Sequence, residues 1–526
     1  MGFLSRLIGG DRRPMTPQSG GMRAAFPAAD LGRLTHSWTI DPGAINRWLR
    51  FELRILRSRM RQLARADAYA AKFLRACENN IAGPAPFVLM SKVHKGRPTV
   101  AGTAPELDRD ANRRLEQAWA RWSLARNCDV TGRMSLPAMY RLIIRCLARD
   151  GEVLVRYLRG RQFGPFGLQL QILDIDRLDE ERNEENVRGG AIKMGVQLNA
   201  YGKPTAYHLL RRNPGEYGLW GPANPRDYEV IPADQVVHLY VPDWPEQVRG
   251  FPWAHAAMTR LYHLGGFEEA AVVAARVGAA QMGMLERDPE VSGAASLASA
   301  ADTESAAGEP QITVEAGTFQ AIPYGWRMAE GWNPKYPDAA VEPFIRSTLR
   351  GIAASVGMAY HSLANDPSNV NFSTARVALL EERDMWASLQ AWFVEHFCLP
   401  LFEEWRSMAA LSGQLPQEYT GERFGEVRFQ PRRWQWVDPR NEAAAQVEAL
   451  EAKLTSRTRI AAQQGEDIEE IFDEIAAEEQ MAADAGVTLT PAAPQPEPPP
   501  SPAAPEDDEP SEEDENGKSR PRLAVG

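Results

Sequence analysis

The stretch GIAASVGMAYHSLANDPSNVNFSTARVALLEERDMW, residues 351–386, decides how the second half of this chain folds. Leading into it, Ile345, Leu349, Ile352 and Val356 stand four, three and four residues apart, the spacing of one helix face, and Gly357 is placed to end that helix in left-handed backbone. Between Met358 and Phe372, Asn365, Asp366, Ser368, Asn369 and Asn371 gather around Pro367. These residue types bond to nearby backbone and compete with helix. Helix resumes at Ser373, is expected to run to Trp405, and must kink at Pro400. A polar loop this long between two helices is either functional or a mobile surface connection.

Working back along the chain, WAHAAMTRLYHLGGFEEAAVVAARVGAAQMGML, residues 253–285, is rich in Ala and Gly. Ala271, Ala275 and Gly278 are small enough to let neighbouring helices approach closely. Residues 287–340 turn irregular, with a small polar patch, the strand-like ITVEAGTFQAI and an aromatic loop holding Tyr324, Trp326, Trp332 and Tyr336. That many rings suit either the insert's own core or an interface with another protein.

Upstream of residue 253 the hydrophobic period changes at Gly151. GEVLVRYL, LQLQILDI, AIKMGVQL, TAYHLL and VVHLYV are short β-rich runs, and NAYGKP between two of them has the residues of a hairpin connection, so residues 151–241 are expected to be mostly strand. Before them the period is helical. Asp41 and Pro42 signal a helix start, followed by a stripe through Ile45, Leu49, Leu53, Leu56, Met60 and Leu63; residues 107–126 and 136–149 give two more helices. At the other end, 441–480 is expected to be helical, and the acidic, Pro-rich segment after residue 485 has too little apolar surface to offset ordering entropy and is expected to be disordered.

The formal net charge of −11 hides a division. Residues 465–526 hold 18 acidic and 3 basic residues, so residues 1–464 carry +4. Residues 1–80 alone count 14 basic against 6 acidic, densest in RFELRILRSRMRQLARAD, which either meets phosphates or an acidic surface or is a solvated helix face. Cys77, Cys128, Cys146 and Cys398 are widely spaced with no CxxC pair, as expected of reduced thiols. Arg6 interrupts the apolar start of MGFLSRLIGG, which fits neither a signal peptide nor a myristoylation pattern. No run is long and uncharged enough for a membrane span.

Motifs of catalysis are missing. YGKPT has Pro204 where a phosphate-binding loop needs Ser or Thr, no HExxH or GxSxG occurs, and the eight histidines form no close metal-ligand pair. The best enzymatic candidate is LDIDRLDEE, where Asp174, Asp176, Asp179 and Glu180 could hold Mg²⁺ for phosphodiester hydrolysis. The alternative is a strand end running into a polar turn. A third possibility is a scaffold or adaptor whose acidic tail recruits basic partners. No catalytic residue, metal or cofactor is assigned.

GEVLVR, LQILDIDRLD, GVQLNAYGKPTAYHLL, IPADQVVHLYVPDWPEQVRGFPWAHAAM, EAGTFQAIPYGWRM and GIAASVGMAYHSLANDPSNVNFSTAR, in this order, resemble the phage portal proteins of the lambda family across roughly residues 30–440. NFSTAR departs slightly from a family pattern tending toward Asn-Tyr-Ser-Ser before the Arg. The resemblance implies an α+β portal fold that forms a ring of about twelve subunits at one capsid vertex, built on one repeated interface. It implies a flexible N-terminus over 1–30, a mixed α/β wing over 31–252 and 373–440, stem helices at 253–286 and 341–357 with an α/β clip insert, 287–340, between them, a tunnel loop at 358–372 and crown-like helices at 441–485, followed by the tail at 486–526. On that topology Asn365, Asp366, Ser368, Asn369 and Asn371 line a DNA channel. Ala271, Ala275, Gly278, Ile345 and Leu349 pack subunits, and Tyr324, Trp326, Trp332 and Tyr336 dock the packaging motor. Implied partners are further copies of the chain, double-stranded DNA without sequence preference, the terminase large subunit, head-completion or connector proteins, and major capsid or scaffolding protein. The implied location is the portal vertex of the virion, with the host cytoplasm during assembly.

Overall fold

The computed structural model describes residues 43–84, 87–96, 107–187, 189–216, 227–279, 285–287, 326–328, 339–368, 371–434, 439–464 and 468–486. The chain divides into two units, residues 1–434 and 435–526.

In the first unit the expected apolar stripe forms α1 (Ile45–Ala66), which buries Leu49, Leu53, Met60 and Leu63 and, among them, Arg57. Asp41 and Pro42, read as its start signal, lie outside the described residues. Asp67 starts α2 (Ala68–Cys77) by accepting a hydrogen bond from the Ala70 N–H at 2.7 Å. After β1 (Val88–Ser91), Asp108 likewise caps α3 (Arg109–Trp122), whose Trp119 and Trp122 are buried. A short α4 (Ala125–Cys128) leads to α5 (Leu136–Asp150). Helix turns into strand at Gly151, with φ +88°, where a Cβ would lie 2.1 Å from the Phe251 carbonyl carbon. Both the backbone sign and the close crossing demand glycine there.

Beyond Gly151 the period of two becomes two antiparallel sheets. β2 (Glu152–Arg159) lies between β3 (Leu168–Leu173) and β9 (Val236–Tyr240), with Val155 opposite Ile172 on one side and Val237 on the other. The second sheet follows sequence order through β4 (Glu184–Val187), β5 (Gly190–Lys193), β6 (Val196–Leu198), β7 (Pro204–Leu210) and β8 (Tyr228–Pro232). NAYGKP forms the expected β6–β7 hairpin. The Asn199 side chain accepts from the Tyr201 and Lys203 N–H groups at 2.9 Å, and Gly202 takes positive φ.

Helix returns as α6 (Met258–Ala279), preceded by turns at residues 253–257, later than its expected start at Trp253. β10 (Leu285–Arg287) pairs antiparallel with β11 (Trp326–Met328), so the insert between them leaves and returns at one place. α7 (Val341–Ser355), α8 (Tyr360–Ala364) and α9 (Phe372–Phe393) come next. α9 passes through a π-helical turn, Val394–Cys398, into α10 (Leu399–Leu411). That turn lies where Pro400 lacks an N–H for the carbonyl four residues back, so Pro400 opens a wider turn within one long helical run. β12 (Val427–Gln430) closes the unit by pairing with β1, Val88 opposite Gln430.

The core has two parts. One is aromatic: Trp119 lies 5.0 Å, ring centre to ring centre, from both Trp122 and Trp405, while Phe87, Tyr140, Phe393 and Phe397 make a second group. Trp122 Nε1 donates to the Leu168 carbonyl at 2.9 Å, which satisfies its buried N–H. The other part joins Leu49 and Leu53 of α1 to Leu154, Leu173, Val196, Tyr207, Leu209 and Ile231 of the sheets.

In the second unit the helical stretch expected over 441–480 is divided among three helices. These are α11 (Pro439–Glu451), α12 (Arg457–Gln464) and α13 (Ile468–Ala485). Lys453 takes φ 58° and the Leu454 N–H reaches back to the Ala449 carbonyl at 2.9 Å, so the chain turns where the apolar spacing alone gives no stop.

Candidate functional site

α6 and α7 pack through Phe267 against Phe344, 4.9 Å between ring centres, and Arg260 of α6 lies over Gly351 of α7. Tyr69 of α2 donates to Glu268 at 3.2 Å and ties the pair to the body. Away from that contact α6 leaves Tyr262, Val272 and Val273 67%, 59% and 51% exposed, interspersed with exposed Glu269 and Arg276, and Ala271 and Ala275 are half-buried. Gly278 lies in the last turn of α6. Leu349 differs from expectation. It is 3% exposed and packs with Leu261, Leu264 and Ile352 inside its own chain, because the α7 face carrying Leu349 and Ile352 meets the body; Ile345 is partly buried on the same core. Leu349 is therefore a core residue of the subunit.

As the sequence indicates, α7 is ended by Gly357, at φ +69°, and the Met358 N–H bonds to the Ala353 carbonyl at 3.0 Å. The segment beyond Gly357 is not one open loop. Met358 and Leu363 are buried, α8 occupies Tyr360–Ala364, and Asn365 ends it in the left-handed region at φ 55°. Two carboxylates fasten the segment. Buried Glu382 of α9 accepts from the Ala359 N–H at 3.2 Å and from Trp386 Nε1 at 3.1 Å. Half-buried Asp366 accepts from the Tyr360 hydroxyl at 2.8 Å, from the Ser368 N–H at 3.0 Å and from the Ser368 hydroxyl. Those bonds, first from Ser368 and then from Tyr360, hold the Asp366 carboxyl down at about 2. The Asn371 carbonyl starts α9 by accepting from the Ala375 N–H at 2.9 Å. Asn369 lies outside the described residues. The segment is thus fastened as far as Ser368 and helical again from Phe372.

Of the aromatic insert, Trp326 stands in β11, while Tyr324, Trp332 and Tyr336 lie outside the described residues.

The acidic turn after β3 is held by protein cations. Asp174 caps the turn through the Asp176 N–H at 3.0 Å, and Arg61 of α1 pairs with Asp150 at 2.7 Å, Asp174 at 3.1 Å and Asp176 at 2.5 Å. Arg57 pairs with Asp176 at 3.4 Å and with Glu180, and Asp179 accepts from the Tyr228 hydroxyl at 2.6 Å. Burial opposes ionisation of Asp174, but the Asp176 N–H and Arg61 outweigh it and hold the carboxyl low. Among the described residues no group of three or more His, Cys, Asp or Glu is arranged to hold a metal ion. Carboxylates already saturated by guanidinium groups do the work of a strand-end clamp.

Sequence reasoning missed Glu382 and Tyr360. The one local signal is Glu382 standing four residues before Trp386, on the same helix face.

The chain belongs to the phage portal proteins of the lambda family, whose family profile matches residues 31–390. A particular relative, the probable portal protein of Halomonas phage phiHAP-1, is 32% identical over 458 residues, covering 86% of this chain and 85% of its own length. Portal protein B of Escherichia phage lambda is 22% identical over 454 residues, covering 79% of this chain and 81% of its own. Among solved structures, the neck of an empty GTA particle matches 78% of this chain and 93% of its own at 15% identity and a TM-score of 0.39. Among the described residues no helix is long and apolar enough to cross a membrane.

Proposed function

We propose that copies of this chain close into a ring of about twelve at the unique vertex of a phage capsid, one interface being repeated around the axis so that no open end remains. Double-stranded DNA passes through the ring on packaging and again on ejection. The observation that carries this reading is α6, whose Tyr262, Val272 and Val273 stay exposed in the single chain beside half-buried Ala271 and Ala275. Large apolar side chains left exposed along one helix fit burial against another protein surface, and small residues let that surface come close.

On this reading α6 and α7 are the stem, and the insert that leaves through β10 and returns through β11 is the clip. The clip docks the terminase large subunit and later the head-completion proteins, with Tyr324, Trp326, Trp332 and Tyr336 as its aromatic contacts. Major capsid or scaffolding protein surrounds the wing, and the ring resides in the virion at the vertex. The segment 358–372, with Asn365, Asp366, Ser368, Asn369 and Asn371, faces the channel. Neutral amides such as Asn369 and Asn371 suit a conduit for DNA of every sequence, because they touch phosphates without the counterion-releasing grip of an Arg cluster. The protein acts as a conduit and a dock and performs no chemistry on DNA; the nuclease reading loses its support because Arg57 and Arg61 take up the charge of Asp174, Asp176 and Glu180. Negative-stain images of the purified chain test the reading: rings with a central hole are expected, and a monodisperse monomer contradicts it.

A further inference from the structure

A cavity of about 810 Å³ lies between the second sheet and residues 246–248, with Ala191, Val196, Leu198, Tyr207 and Val248 in its lining. Its wall is a built feature. The Gln247 side chain accepts from the Asp243 and Trp244 N–H groups at 3.0 and 3.1 Å and donates to the Arg249 carbonyl at 2.8 Å. Glu246 takes φ 58°, a backbone region unfavourable to any residue but glycine. Asn46, in the first turn of α1, pins the same loop by donating to the Glu246 carbonyl at 2.7 Å and accepting from the Val248 N–H at 3.0 Å. Inside, two polar groups lack a partner among the described residues. Tyr207 is 4% exposed and its hydroxyl makes no hydrogen bond, and half-buried Lys193 makes no ion pair. Val196, Leu198 and Val248 supply an apolar floor. An apolar floor with a few convergent polar groups is the make-up of a binding cleft.

The place where the chain enters indicates the occupant. α1 begins at Ile45, so the residues before it start out beside the wall that Asn46 pins. Residues 31–42, LGRLTHSWTIDP, fall within the family profile and lie outside the described residues. In them Trp38 and Ile40 alternate with Ser37, Thr39 and Asp41, the period of a strand with one apolar face, and Pro42 favours extended backbone at Asp41. Charge does not select the occupant: the lining holds Lys193 and Glu246, and 31–42 holds Arg33 and Asp41. The apolar match and the point of entry do. We infer that residues 36–41 run extended through this cavity as a strap from the same chain, with Trp38 and Ile40 against Val196, Leu198 and Val248 and a strap carbonyl accepting from the Tyr207 hydroxyl. Six extended residues reach roughly 20 Å, enough to cross a space of this volume. The strap is tethered two residues from α1, so it seats at a high effective concentration and a small contact holds it. It ties the start of the chain to the second sheet whether or not the subunits form a ring.

The full chain carrying Ser37→Cys and Ala191→Cys in a Cys146→Ser background, treated with a bismaleimide, tests the strap while keeping Trp38 and Ile40. A cross-link within one chain is expected, seen by mass spectrometry as a joined 37–191 peptide from a band that runs as a single subunit. A link between two chains gives the cleft to another copy's N-terminal segment and overturns the inference; so does the absence of a link. Hydrogen exchange gives a second readout. In the full chain carrying Trp38→Asp with Ile40→Asp, amides at Val196–Leu198 and Gln247–Val248 are expected to exchange several-fold faster than in the parent. A synthetic peptide of residues 31–42 is expected to slow them again and to bind this variant but not the parent, whose cleft is filled. Parental exchange in a variant with the parent's circular dichroism, or equal peptide binding by both chains, overturns the strap. Neither result depends on ring formation, so a failure here leaves the proposed ring standing.

Discussion

Glu152 opens β2 and is fully buried with four partners from elsewhere in the chain. Arg249 reaches both carboxylate oxygens, with Nε at 3.0 Å from each and Nη2 at 2.8 Å from Oε1; His238 of β9 stands at 2.8 Å and the Gly250 N–H at 3.0 Å. Arg57 of α1 adds its charge at 3.7 Å. Burial alone would push the Glu152 carboxyl up; the Arg249 charge and the His238 hydrogen bond prevail and hold it well below the ordinary range. Burial lowers the His238 pKa from its ordinary 6.5 despite Glu152, so the ring is neutral and donates Nε2–H. Removing one partner strands a buried charge. Glu152→Gln and Arg249→Met are each expected to lower subunit stability by about 3–5 kcal/mol, read from urea unfolding. Their pH dependence has a definite sign. His238 binds a proton more readily unfolded than folded, so stability starts to fall as pH drops below about 6.5; Glu152 does the same below about 4.5, and the loss continues to lower pH. His238→Gln is expected to reduce the first step and leave the second, the remainder of the first coming from His208, whose pKa burial also lowers. A flat profile between pH 7 and 5 in the parent chain contradicts the assignment.

At the scale of elements, the segment from Met358 to Ser368 behaves as a fastened strap. Asp366→Ala and Tyr360→Phe are expected to leave rings intact and to speed amide hydrogen exchange at Ser368, with Asp366→Ala the larger because it removes all three acceptor contacts. Unchanged exchange in both variants sinks the fastening. Asn369→Arg is expected to slow packaging, more at low than at high salt, by adding a phosphate-binding charge at each copy. Ala271→Trp or Ala275→Trp is expected to block ring formation while far-UV circular dichroism stays that of the parent; rings of normal mass from both remove α6 from the interface.

The same elements show what sequence carries. The hairpin at Asn199–Pro204, the helix end at Gly357 and the change of period at Gly151 were legible because their causes are local: a side chain bonding its own turn, or a backbone angle only glycine takes easily. β1 with β12 was not, since its two short strands find each other from opposite ends of the first unit. Nor was the π-helical turn before Pro400, where the sequence announces a kink and the structure absorbs it. Leu349 had the right periodicity and the wrong neighbour, because spacing names a buried face without saying whose surface buries it. Glu382, the strongest anchor of the strap, was hidden among ordinary helical acids.

For the whole molecule, charge and burial divide the chain at different places. Residues 1–464 are mildly basic and the acid is concentrated from residue 465 onward, while the dense core lies in the first unit, residues 1–434. α13 ends at Ala485, so truncation after Val487 removes no described helix and is expected to leave ring assembly and ring mass per subunit unchanged, as measured by light scattering. Loss of rings on that truncation shows that the acidic segment is part of the assembly. Whether this portal family member works as a closed ring is decided by native mass spectrometry of the full-length chain. A single species at about twelve times the 58.4 kDa subunit is the predicted result; a species of one or two subunits at every concentration reached, from a folded protein, contradicts it.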